Sequence, residues 1–64
     1  MTVTNLWNSW SNWMPFSKVS IYVISTGYTG VYSHFEDVLR DWSDRTVVSF
    51  MHDATTDTIA INIK

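Results

Sequence analysis

Trp7, Trp10 and Trp13 recur at every third residue near the start of a chain of only 64 residues. Indole is the bulkiest apolar side chain and the one most often used to anchor a buried surface. The segment from Leu6 to Met14 must therefore dock on something: the chain's own sheet, a second copy, another protein or a lipid interface. At about 100° per residue, Leu6, Trp7, Trp10, Trp13 and Met14 share an arc of about 120°, with Asn5, Asn8, Ser9, Ser11 and Asn12 filling the remainder. Strand alternation would instead put Trp10 on the opposite face from Trp7 and Trp13. The spacing predicts a helix over 5–14, with Thr4 or Asn5 capping its start and Pro15 ending it.

That helix cannot stand alone. Asn and Ser are poor helix formers in an interior position. Burying three indoles of roughly 200 Å² each, at ~25 cal/mol/Å², stabilises by at most about 15 kcal/mol. Ordering the segment at ~1.5 kcal/mol per residue costs about the same. It folds only if its aromatic face is almost completely covered, and the chain's own sheet is the expected cover. The W-x-x-W-x-x-W spacing resembles the tryptophan ladder of thrombospondin type 1 repeats, but only over these residues. That family's cysteines and interleaved arginines are missing, so common descent is rejected.

The remaining composition narrows the class. One domain, 1–64, fits this length. A hydrophobic fraction of 45% marks a folded chain, and with no cysteine it has neither disulfides nor thiolate metal sites to brace a small core. The net charge is −2, and Lys18, Arg40, Arg45 and Lys64 are scattered. Nucleic-acid binding is thus disfavoured, because phosphate neutralisation needs clustered cations. Membrane insertion is disfavoured as well, since no basic residue precedes Lys18. No secretion signal is legible, and a cytoplasmic location is expected.

Residues 17–26 read as a strand with Val19, Ile21 and Val23 on one face and Ser20, Tyr22 and Ile24 on the other. Gly27 and Gly30 predict a turn. A second helix follows, with a Ser33/Glu36 capping box and an inward face of Phe35, Val38, Leu39 and Trp42. Residues 45–52 and 57–63 read as strands joined by a hairpin loop from Asp53 to Asp57. The expected fold is an α+β two-layer sandwich of order α-β-α-β-β, its three-stranded sheet carrying both helices on one face. A right-handed crossover through the main helix would make the first two strands run the same way.

No residue pattern points to catalysis. Neither a nucleophile–base pair nor a flanked carboxylate pair is present, so no enzyme and no cofactor are expected. His34, His52, Asp53 and Asp57 are read as turn and surface residues rather than metal ligands. The stretch Ser25 to Gly30 lacks the lysine and third glycine of phosphate-binding loops. The sharper feature is the acidic outer face of the second helix: Glu36, Asp37, Asp41 and Asp44, with Arg40 and Arg45 expected to pair at i,i+4 with Glu36 and Asp41. Together with Tyr28 and any exposed member of Trp7, Trp10 and Trp13, these carboxylates form the candidate partner-binding surface. The expected function is a small non-enzymatic protein-binding module, a regulator or inhibitor of the kind phages and mobile elements carry. A homodimer assembled through the edge of the last strand is the alternative, and a nucleic-acid-binding regulator comes third.

Overall fold

The computed structural model describes residues 1–10 and 16–64, with Trp10 described as backbone only. Trp13 and the side chain of Trp10 therefore lie outside the described residues. The elements run α1 (Val3–Trp10), β1 (Lys18–Val23), β2 (Tyr28–Tyr32), α2 (Phe35–Trp42), β3 (Val47–Asp53) and β4 (Thr58–Ile63). The class is α+β, but the sheet has four strands, in the order β2-β1-β4-β3. The three-stranded expectation is corrected by β2, which occupies the stretch read as a glycine turn. The turn itself comes earlier, over 24–27, where Gly27 takes φ +76° and donates to the Val23 carbonyl.

Pairing sets the topology. β1 runs antiparallel to β2 and parallel to β4, and β3 runs antiparallel to β4. β1 and β3 therefore point in opposite directions, contrary to the crossover expected from sequence. The physical reason is that α2 is reached from β2, after the chain has already reversed in a hairpin. β4 lies inside the sheet, so its edge is not open to a second copy; the edges are β2 and β3.

The core is a single layer between the helices and one sheet face. Val19, Ile21 and Val23 of β1, Ile59, Ile61 and Ile63 of β4, Val3 and Leu6 of α1, and Phe35 and Val38 of α2 are all buried. Alternation makes this possible, because register pairs Ile21 with Ile61 and Val23 with Ile63 on the same face. Ser20, Tyr22, Ala60 and Asn62 emerge on the other face, which neither α1 nor α2 covers. There Asn62 Nδ2 donates to Ser49 Oγ at 2.9 Å.

The helix starts differ from expectation. α1 begins earlier than predicted, and Thr2, rather than Thr4 or Asn5, caps it. The Asn5 amide donates to Thr2 Oγ1 and the Thr2 amide donates to Asn5 Oδ1, both at 3.1 Å, a reciprocal capping box with asparagine in the distal role. Thr2→Ala is expected to lower stability by about 1 kcal/mol, read as a fall in urea midpoint with unchanged slope. α2 has no capping box: its N-cap is His34, in an extended conformation, with no side-chain cap bond. Its last turn docks instead on α1, as Thr4 Oγ1 donates to the Ser43 carbonyl at 3.0 Å.

Candidate functional site

Tyr28, Gly30 and Tyr32 alternate on the helix side of β2, opposite Val23, Ile21 and Val19. The Tyr28 ring lies along its own strand and covers position 30, where any Cβ would sit 2.7 Å from the Tyr28 hydroxyl. Glycine leaves room for that ring; a larger residue would make it shift. From above, α2 brings Trp42 to within 5.6 Å of Tyr28, ring centroid to centroid. Trp42 Nε1 donates to Tyr32 Oη at 2.9 Å, so the indole satisfies its polar end at the sheet edge. Arg45 then stacks on the indole, its guanidinium carbon 5.3 Å from the ring centroid, while its Nε donates to the Lys64 carbonyl at 2.7 Å.

The carboxylates surround this aromatic group. Glu36, Asp41 and Asp44 are exposed and Asp37 is half-buried. Arg40 bridges Asp37 and Asp41 at 3.4 Å each, with its side chain 68% exposed and both carboxylates 42% exposed. The expected pairs of Glu36 with Arg40 and Asp41 with Arg45 are thus replaced. Arg40 chooses the carboxylates on one flank, and Arg45 turns inward to Trp42 and the end of β4. Exposed pairs of this kind contribute little and exchange readily with other partners.

The Tyr28 hydroxyl hydrogen-bonds to Tyr32, which favours its neutral form; the neighbouring Tyr32 phenol, partial desolvation and the Asp41 carboxylate push the same way, so its pKa is raised above 10.0. The folded state holds this proton more tightly than the unfolded chain. Stability contributed by Tyr28 is therefore complete below about pH 10 and is lost as pH rises through the folded value. Tyr28→Phe is expected to flatten the alkaline fall in urea midpoint that sets in above about pH 10. An unchanged slope would place the loss elsewhere.

The tryptophans divide. Trp7 is half-buried and stacks on Phe35, with centroids 4.5 Å apart and planes 15° from parallel, and it meets Phe16 edge-on at 6.3 Å. It is thereby tied to the fold at the end of the core opposite Trp42. The site instead gains Trp42, Tyr32 and Arg45, which sequence reasoning had left out of the partner surface. Their signals were present as spacing: Tyr28 and Tyr32 share a strand face, and Arg45 follows Trp42 by one helical turn.

The final hairpin is structural. The Thr55 amide donates to Asp53 Oδ1 at 3.0 Å, and Asp57 takes φ +51°, which asparagine and aspartate tolerate. Its carbonyl accepts from Ser17 at 2.7 Å, anchoring the start of β1. Among the described residues no group of three or more His, Asp and Glu gathers to hold a metal ion, and no helix is long and apolar enough to cross a membrane. Compared with known protein families, with curated proteins and with solved structures, the chain matches none.

Proposed function

We propose that this chain is a small non-enzymatic protein-binding module that acts as a regulator or inhibitor by occupying a surface on another protein. The carrying observation is the placement of charge. Glu36, Asp37, Asp41 and Asp44 oppose only Arg40 and Arg45, so this one segment holds an excess of negative charge equal to the whole net charge of −2. Elsewhere Lys18 and Lys64 balance Asp53 and Asp57. The excess borders Tyr28, which is 46% exposed, and the indole of Trp42. Half-exposed aromatics beside a net excess of carboxylates favour a partner with a basic, partly apolar surface.

The test is charge reversal. Asp37→Lys with Asp41→Lys is expected to reduce capture of the partner from lysate of the producing cells by at least about tenfold. The new like-charge contacts with Arg40 cost only about 0.5 kcal/mol each, so circular dichroism should show an intact fold. Ala54→Lys in the exposed final hairpin serves as the control and should leave capture unaltered. Capture unaltered by the double reversal would remove the acidic face from the proposal.

A further inference from the structure

We infer that the outer edge of β2 is a strand-addition site that takes an extended segment of alternating basic and apolar residues from another protein. The inference rests on the protein-binding reading above and specifies the partner's conformation and chemistry.

The two sheet edges are built differently. At β3, the register slips between Val47 and Ser49, a bulge that bends the edge. The outward Val47 amide is already bonded to the Met1 carbonyl at 2.7 Å, and Thr2 pairs with Thr46. At β2 none of these devices is present among the described residues. Its sequence, Tyr28-Thr-Gly-Val-Tyr32, has no proline, lysine or bulge, and its register with β1 is unbroken.

Hydrogen-bond direction shows which groups are open. The Ile24 amide donates to Ile63 in β4, whereas the Val23 carbonyl accepts from Gly27 on the β2 side. Bonding side alternates along a strand, so Val19, Ile21 and Val23 bond to Tyr32, Gly30 and Tyr28. Thr29 and Val31 therefore turn their amides and carbonyls outward. Among the described residues nothing bonds to them.

What lies above that edge selects the occupant. On α2, Phe35 meets Trp7 of α1, whereas Trp42 meets Tyr28 and Tyr32 of β2. Asp41 adjoins Trp42 on this side, and Asp37 lies one turn before Asp41, the two carboxylates joined through Arg40. The Asp41 carboxylate also contributes to raising the Tyr28 pKa. A strand added beside β2 would send alternate side chains under these carboxylates and alternate ones beside Val31, which is 65% exposed on the open face. Lysine or arginine fits the first set, with its stem along Tyr28 or Tyr32 and its head at Asp41 or Asp37. Valine or isoleucine fits the second. A second copy fits less well, because pairing β2 with itself would bring two negatively charged α2 flanks together.

The probe is a capped peptide of alternating lysine and valine, about seven residues long, the length of an ordinary strand. Titration into the labelled protein is expected to give saturable binding and to slow amide exchange at Thr29 and Val31 above their neighbours. Val31→Pro removes an outward amide and is tolerated on an edge strand; it should weaken binding about tenfold. If that variant fails to fold, methylating alternate amides of the peptide tests the same bonds on the intact protein, with the same loss expected. No binding, binding without exchange protection, or binding indifferent to both changes would overturn strand addition. Protection that grows with protein concentration alone would overturn it in favour of self-pairing. In partner capture, loss on Asp37/Asp41 reversal but not on Val31→Pro would leave the module reading standing while removing strand addition. Indifference to both would remove the acidic-face reading too.

Discussion

Ile61→Ala is expected to remove about half or more of the protein's folding stability. Ile61 is fully buried on β4, between Ile21 of β1 and Phe50 of β3 in the register. Truncating a buried isoleucine to alanine costs about 2–5 kcal/mol, the upper end applying where rigid neighbours prevent collapse of the cavity. Here the site lies on a strand paired on both sides, so the backbone has little freedom to close the gap. A domain of this size has a total stability of only ~3–10 kcal/mol. Urea denaturation followed by circular dichroism should therefore show a midpoint moved about half or more of the way to zero denaturant. Val31→Thr offers the contrast. It changes an exposed side chain on a sheet edge and should move stability by less than about 0.5 kcal/mol. A small loss at Ile61 would mean that the core is not the single layer between the helices and the β1–β4 face.

The difference between those two positions was legible in the sequence for β4 and β1 and hidden for β2. Ile59, Ile61 and Ile63 alternate with small or polar residues, as do Val19, Ile21 and Val23, because each strand has one buried and one open face. In α2, Phe35, Val38, Leu39 and Trp42 follow the helical period, and all four pack inward. β2 keeps its alternation too, but its inward residues are two tyrosines flanking a glycine. The local turn preference of Gly30 masks a requirement that only tertiary structure shows, namely space for the Tyr28 ring. In β3 the bulge at Val48 shifts the parity of the residues that follow. Neither the parallel β1–β4 pairing nor the identity of the edges is encoded locally, since both depend on contacts between distant segments. For the same reason the carboxylates of the candidate site were legible, whereas Trp42, Tyr32 and Arg45 were not assigned to it.

Phe35→Ala is expected to be as damaging as the loss at Ile61, and by a mechanism that bears on the tryptophans. Phe35 is buried at the start of α2, stacked on Trp7 and meeting Phe16 at 72° between planes. Removing the ring costs about 3–5 kcal/mol through transfer and cavity terms. The aromatic geometry with Trp7 adds ~0.5–1.5 kcal/mol beyond buried area. Phe35→Leu separates the two contributions, because it keeps most of the volume and loses the stacking. It should cost about 1.5 kcal/mol, and a double-mutant cycle with Trp7→Leu should return a coupling of about 1 kcal/mol. Additive losses would show that the stacked pair contributes only its buried area. The same variants locate Trp7 in function. If its indole serves the fold through Phe35, Trp7→Leu lowers the urea midpoint but leaves partner capture by the folded fraction unchanged. The acidic flank of α2 with Tyr28 then remains the proposed partner surface, and Trp7 is explained by the need to cover this end of the core.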